Sequence, residues 1–141
     1  MNIIDMHKAE WTQQQVTDEA LARLEKQGCQ AREGAVSCKY FLEGEDGKEL
    51  MCAVGLLLPE PRDFKDLDES VTGLIARMWG DDDYKLFNAL VEYRTSLDAL
   101  QGFHDYPTRA DHRYADRHTE LDTSWSEEAL IELGDKLVKG G

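Results

Sequence analysis

Cys52, His104 and Asp105 are the residues of this sequence most able to carry out chemistry together. A cysteine at the start of a helix can become a nucleophile, and a nearby imidazole can act as its base, as in papain-like enzymes. The apolar run from Cys52 to Leu58 favours a buried, inert cysteine instead. His104 and Asp105 also fit the end of a helix followed by a turn. We expect this structural role, with a thiol-dependent hydrolase as the alternative.

Cysteines and histidines also supply weak candidates for a metal site. Zinc prefers thiolate and imidazole ligands, but no pair in this sequence has the spacing of a structural zinc site. Phosphate-binding glycine motifs are missing as well. We therefore expect neither a metal nor another cofactor. The residues considered as ligands are Cys29, Cys38, Cys52, His104, His112 and His118.

Acidic side chains dominate the composition. Twenty-nine Asp and Glu residues against sixteen Lys and Arg give a net charge of −13. Residues 43–83 alone hold twelve acidic and four basic side chains. Such a chain repels nucleic acid and suits a partner with a basic surface, although acidity also serves solubility alone. The predicted contact residues are Asp66, Asp68, Glu69, Asp81, Asp82 and Asp83.

The apolar pattern predicts one domain over residues 1–141, mainly helical with a small hairpin. Capping boxes predict helices that begin after Thr12 and Ser124. The run from Val36 to Leu42, a turn and a short return strand predict the hairpin. We expect a compact bundle of about four helices packed on a two- or three-stranded antiparallel element.

Two helices are predicted between the hairpin and residue 105. The first carries Val71, Leu74, Ile75 and Met78, and the second follows the aspartates at 81–83 as one long helix. Residues 1–10 are interpreted as an N-terminal segment, and residues 106–122 as a His/Arg-rich loop or insertion. The residues predicted to form the apolar face of the long helix are Leu86, Phe87, Leu90, Val91, Leu97 and Leu100.

The sequence also indicates where the protein resides. No apolar run approaches the roughly 20 residues of a membrane span, and the first residues lack the pattern of a signal peptide. Three cysteines, an odd number, favour reduced thiols over a disulfide framework. We predict a protein of the bacterial cytoplasm that contacts no membrane.

Five parts of the sequence form a recognisable set: Cys38-Lys-Tyr40, Gly44-Glu-Asp-Gly47, Cys52-Ala-Val-Gly-Leu-Leu-Leu-Pro59, Leu100-Gln-Gly-Phe-His-Asp105 and Trp125. Together they resemble a family of small uncharacterised phage and prophage proteins. That family has a C-x-Y strand, a G-x-x-G turn, a C-A-[VI]-G-x-L-I-P run, an L-Q-x-x-H-D motif and a tryptophan that opens its last helix. The resemblance covers most of residues 12–138, and this chain departs from it in a longer stretch between Asp105 and Trp125. It implies a phage-related origin and no particular reaction.

Charge and resemblance together predict a non-enzymatic acidic binding protein of phage or prophage origin. Its partner would be a basic host or defence protein, which it inhibits, in one version by imitating nucleic acid. The first alternative is the hydrolase that uses Cys52, His104 and Asp105. The second is a structural accessory protein or homodimer, with the apolar residues 52–58 as the contact.

Overall fold

The computed structural model describes residues 1–33, 37–43, 47–65, 67, 70–80, 84–105, 107 and 121–140, with the backbone alone at 32, 33, 37 and 38. This part of the chain is mainly helical with short antiparallel strands, which confirms the predicted fold class. It contains six α-helices, more than the predicted four or so. They are α1 (Ile3–Lys8), α2 (Gln13–Gln27), α3 (Val71–Met78), α4 (Tyr84–Glu92), α5 (Arg94–Asp105) and α6 (Glu127–Lys139).

The strands form two separate antiparallel pairs. β1 (Arg32–Glu33) pairs with β2 (Ser37–Cys38), and β3 (Phe41–Glu43) pairs with β4 (Glu49–Met51). The second pair is the predicted hairpin, with Leu42 opposite Leu50. Its first strand begins at Phe41 rather than Val36. Such short pairs depend on the helices around them for stability.

Local capping fixes the ends of α2. The Thr12 hydroxyl oxygen accepts from the Gln15 N–H at 3.2 Å, and the Gln15 side-chain oxygen accepts from the Thr12 N–H at 2.8 Å. Gly28 ends the helix in the left-handed conformation with φ of 80°, where a side chain would be strained. The sequence predicted both ends of α2, because these bonds join residues that are close in the chain.

The capping box predicted at Ser124 and Glu127 is wrong. Ser126 is the N-cap of α6, and its hydroxyl oxygen accepts from the Ala129 N–H at 3.1 Å. Ser124 instead donates its N–H and its hydroxyl to the Asp18 carboxylate at 3.0 and 2.6 Å. This long-range contact ties the start of α6 to α2.

Helix α1 lies in the segment that the sequence left without structure. Asn2 forms a capping box with Asp5, and the side chains of Ile3 and Met6 are fully buried. Their burial stabilises a six-residue helix that would be too short to persist alone in water. α1 packs against α4.

The predicted long helix is two helices, α4 and α5, with a break at Tyr93. Tyr93 is buried, and its hydroxyl donates to the Trp11 carbonyl at 2.8 Å. Leu86, Leu90, Leu97 and Leu100 are buried as predicted.

Phe87 and Val91 do not face the core. Phe87 is only half-buried, and 48% of Val91 is exposed, so their predicted place in the core is wrong. The reason is that α1 and α3 cover the face of α4 that carries Leu86 and Leu90. Phe87 and Val91 lie one position further round the helix.

The apolar run at 52–58 is part of the core. Cys52, Ala53, Val54 and Leu57 have no exposed surface, and residues Gly55–Leu57 form a single 3₁₀ turn. A Cβ at Gly55 would lie 2.0 Å from the Tyr40 carbonyl oxygen, so only glycine fits there. The run is therefore not available as a dimer contact, and that prediction is wrong.

One hydrophobic core joins elements from both ends of the chain, from Ile3 and Met6 to Leu133 and Leu137. α2 lies between α5 and α6, and it also packs on the 3₁₀ turn. None of the helices in the described part of the chain is long and apolar enough to span a membrane.

Candidate functional site

Cys52 is fully buried, and its thiol is protonated at neutral pH. Burial and, to a smaller extent, the nearby Asp105 carboxylate raise the pKa of Cys52 from 9.0 to about 12. Hydrogen bonds from the Gly55 N–H, at 3.3 Å, and from the Gln101 side chain oppose this shift only in part. A nucleophilic cysteine needs access to solvent and a lowered pKa, and Cys52 has neither.

His104 is fully buried as well, and both of its ring nitrogens are used. Nε2 accepts a hydrogen bond from the Ala31 N–H at 3.1 Å. Nδ1 therefore carries the proton of the neutral ring and donates it to the Asp105 carboxylate at 3.0 Å. The His104 carbonyl oxygen accepts from the Gln30 side chain at 2.6 Å.

Cys52, His104, Asp105 and Gln101 form what we call the interior polar cluster. Asp105 is near enough to Cys52 for its charge to affect the thiol, and it accepts from His104. His104 is committed to Ala31 and Asp105, so it is not a base for Cys52. The cluster connects the end of α5 to the chain after α2, which is a structural role.

The residues considered as metal ligands form no metal site in the described part of the chain. Within it, no group of three or more His, Cys, Asp and Glu side chains is arranged to hold a metal ion. Cys29 is buried. His112, His118 and the side chain of Cys38 lie outside the described residues, so their placement stays untested.

The six predicted partner contacts also lie outside the described residues: Asp66, Asp68, Glu69, Asp81, Asp82 and Asp83. Their neighbours in the chain are described. Ser70 caps the start of α3, and Gly80 and Tyr84 flank residues 81–83 between α3 and α4. α3 has eight residues, which corresponds to about 12 Å of helix. The two acidic segments thus adjoin opposite ends of α3.

Exposed aromatic side chains cluster where α3 leads into α4. Trp79 is 77% exposed and Tyr84 is 64% exposed, which is unusual for such large apolar side chains. The rings of Trp79 and Phe87 meet edge to face, with centroids 5.6 Å apart. We call this patch the aromatic surface, and its residues are Met78, Trp79, Tyr84, Phe87 and Val91.

The aromatic surface contains a cavity of about 300 Å³. Its walls are Met78, Trp79, Gly80, Tyr84 and Phe87. Tyr84, Phe87 and Val91 follow one another at helical spacing along the outward side of α4. Contiguous exposed apolar patches of this kind are typical of interaction sites.

The sequence did not identify the aromatic surface. Phe87 and Val91 belong to the predicted apolar face of the long helix, and no prediction includes Trp79 or Tyr84. Met78, predicted among the apolar residues of α3, packs against the core and also lines the cavity. A signal was present, because α4 has more apolar residues than one buried face can use. Trp79 also stands immediately before Gly80, at the end of α3, where few neighbours remain to cover it.

A second, larger cavity lies at the C-terminal end of α6. It measures about 530 Å³, and Glu132, Asp135, Lys136 and Lys139 line it together with Gly28 and Gly140. Two acidic and two basic side chains balance in charge there, and no aromatic ring is present among the lining residues. It offers less basis for recognition than the aromatic surface.

Comparison with family models, with curated proteins and with solved structures finds no match to this chain. The resemblance to phage and prophage proteins therefore stays a prediction. Among the described residues, the aromatic surface is the best-supported candidate site.

Proposed function

We propose that this chain is a non-enzymatic binding protein that engages a basic protein through the aromatic surface. The observation that carries the proposal is the exposure of Trp79 and Tyr84 around a cavity next to three consecutive aspartates. The resemblance described above extends the proposal to an origin in a phage or prophage. The partner is then a basic host or defence protein, inhibited by the complex in the bacterial cytoplasm.

Apolar burial supplies the affinity in this proposal. A Trp side chain buries about 150–250 Å² when it is covered, and about 25 cal/mol is gained per Å². Covering the exposed 77% of Trp79 would therefore contribute about 3 kcal/mol before the costs of association. Trp and Tyr are also the residues that most often dominate binding energy at protein interfaces.

Charge selects the partner. The chain has a net charge of −13, and residues 81–83 connect two of the residues that line the cavity. A basic protein would be attracted over a distance, and one with the same sign of charge would be repelled. Apolar contact and charge together favour a basic protein with an exposed apolar position.

The interior polar cluster supports a non-enzymatic role. The Cys52 thiol is protonated and fully buried, and His104 has other partners. A thiol-dependent hydrolase would need these residues exposed and paired with each other. No observation in the described part of the chain favours that alternative.

Imitation of nucleic acid is the narrower version of the proposal. A duplex carries one charge per roughly 1.7 Å of axis. The two acidic segments have three carboxylates each, and one precedes α3 in the sequence while the other follows it.

Affinity capture from bacterial lysate tests the proposed function. The bait is the wild-type chain, Trp79→Ala or Val138→Ala, each at low and at high salt. Val138 is a matched control, because it is 49% exposed and lies on α6, which packs on α2. We expect a basic protein to be retained by the wild type and by Val138→Ala, more at low salt, and to be lost with Trp79→Ala.

Two outcomes would contradict the proposal in different ways. Equal capture by Trp79→Ala and the wild type would show that the aromatic surface is not the binding site. Capture that is unchanged by salt and by neutralising Asp81–Asp83 would show that charge does not select the partner. Competition by added DNA or RNA for the captured protein would support the narrower version, because the chain would then occupy a nucleic-acid site.

A further inference from the structure

We propose that the cavity of the aromatic surface holds an arginine side chain from a basic segment of the partner protein. The inference rests on the proposed function and specifies the chemistry that the surface recognises. Two features of the described residues support it, the size of the cavity and the rings around it. A third comes from the sequence, which places three aspartates between two of the lining residues.

The cavity is of the size that suits one side chain. Its volume of about 300 Å³ is at the lower end of the range for ligand sites, roughly 300–1,000 Å³. It is also partly open to solvent on the side of Trp79 and Tyr84, which are mostly exposed. An extended side chain of another protein can enter such an opening while its backbone stays outside.

The lining favours a cation with a flat face. Trp79, Tyr84 and Phe87 place three aromatic rings around the cavity. Aromatic faces attract cations, Trp most strongly, and Arg is found over them more often than Lys. A guanidinium also stacks on a ring and has a weaker hydration shell than an ammonium group, so less is lost when it leaves water.

The aspartates at 81–83 supply the complementary charge. The segment starts at Gly80 and ends at Tyr84, and both of these residues line the cavity. Arg77 and Lys85 flank the segment, but both already have interactions within the chain. Residues 77–85 still have one more acidic than basic side chain. A carboxylate can bind a guanidinium through two parallel hydrogen bonds, which an ammonium group cannot form.

A second copy of this chain is a poorer occupant. Two copies would bring together net charges of −13 each, which repel one another. An uncharged apolar side chain would fit the rings but would gain nothing from the net negative charge of this chain. The cationic occupant uses both the rings and the charge.

The test uses three synthetic peptides of the same length and spacing. The first has four arginines, the second has lysines in their place, and the third has citrullines, which keep the shape of arginine without its charge. Binding to the full chain is followed by the anisotropy of a labelled peptide at two salt concentrations. We expect the arginine peptide to bind most tightly, the lysine peptide several-fold more weakly and the citrulline peptide weakest.

Two sets of variants locate the binding. Trp79→Ala is expected to reduce the affinity for the arginine peptide about five- to thirtyfold. Trp79→Phe should reduce it by less, because an aromatic ring is kept at position 79. Asp81→Asn with Asp82→Asn and Asp83→Asn should reduce affinity mainly at low salt. Asn and Asp are similar in size and in their preference for helix starts, so the substitutions change mainly the charge. The matched control with the same change in charge is Glu25→Gln with Asp122→Asn and Asp135→Asn, all exposed and remote in sequence.

Several results would overturn the inference. Equal binding of the arginine and lysine peptides that also survives Trp79→Ala would show general attraction to an acidic surface. Binding that depends on Trp79 but not on arginine would indicate an apolar occupant. Self-association of the wild type that Trp79→Ala abolishes would indicate a second copy of this chain.

The failure of this inference can be told apart from the failure of the proposed function. If the chain binds the three peptides equally while lysate capture still depends on Trp79 and on salt, the proposed binding function is retained. The proposal that an arginine occupies the cavity is then wrong. If capture is independent of Trp79, both fail together.

Discussion

The interior polar cluster and the aromatic surface differ in whether their side chains already have partners within the chain. In the cluster, Cys52 and His104 are fully buried and have hydrogen-bond partners within the chain. On the surface, Trp79 and Tyr84 leave most of their area in water. Reactive residue types therefore stabilise this fold, whereas two large aromatic side chains remain exposed to water.

This contrast shows why residue types alone are a weak guide to function. A cysteine, a histidine and an aspartate can form a catalytic set only if the imidazole has a free nitrogen and the sulfur is exposed. Here the Ala31 N–H occupies the nitrogen that a base would use. The unsatisfied part of a structure, in this case apolar area in water, is the more informative signal.

The largest expected effect concerns the reactivity of Cys52. Its pKa of about 12, against 9.0 for an ordinary cysteine, lowers the thiolate fraction about a thousandfold at pH 8. In a variant with Cys29→Ser and Cys38→Ser, we expect iodoacetamide to label the native chain at least about a thousandfold more slowly than the urea-unfolded chain. Similar rates in both states would reopen the hydrolase alternative.

The same pKa makes stability depend on pH. The folded chain keeps the Cys52 proton above pH 9.0, where the unfolded chain loses it, so this contribution is complete below 9.0 and falls as the pH rises towards 12. Compared with Cys52→Ala, the wild type should lose about 1 kcal/mol of unfolding free energy between about pH 8 and about pH 10. Urea unfolding at both pH values measures this difference. An unchanged difference would mean that Cys52 titrates normally.

The largest effect on stability is expected when His104 is removed. His104→Ala leaves the buried Ala31 N–H without its acceptor and opens a space in the core. We expect the free energy of unfolding to fall by about 3 kcal/mol. His7→Ala is the matched control, since His7 is only half-buried and makes an edge contact with the Tyr93 ring. If both substitutions lowered the free energy of unfolding equally, the hydrogen bonds of His104 would not contribute specifically to stability.

The smallest effect on stability is expected at the aromatic surface. Trp79→Ala removes little beyond the edge contact with Phe87, so the free energy of unfolding should change by less than about 1 kcal/mol. The affinity for the partner should nevertheless fall at least about tenfold. Urea unfolding and binding measured on the same preparation separate the two quantities. A large loss of stability would show that Trp79 belongs to the fold rather than to recognition.

Elements that depend on neighbours in the chain could be predicted from the sequence. α2 has its cap at Thr12 and its stop at Gly28 as expected, because both involve bonds between residues a few positions apart. The β3–β4 hairpin and the helical spacing of Leu86, Leu90, Leu97 and Leu100 are similar cases. α1 was missed because its stability comes from the burial of Ile3 and Met6 against distant elements.

The candidate site was less predictable than the fold. The excess of acidic residues predicted an acidic surface that contacts a partner. The six residues of that surface lie outside the described part of the chain, so the prediction is untested. Phe87 and Val91 were predicted to face the core because spacing identifies an apolar stripe but not what covers it. The break at Tyr93 was not predicted either, since it depends on the bond from the Tyr93 hydroxyl to Trp11.

By itself, the sequence determined the net charge, the fold class and the helix ends that nearby residues cap. Each of these follows from composition or from contacts within a few positions. Only the tertiary structure decided that His104 is committed to Ala31, 73 residues away, and that Trp79 and Tyr84 stay uncovered. Partners and exposure depend on which distant elements pack together, and periodicity in one segment has no information about them.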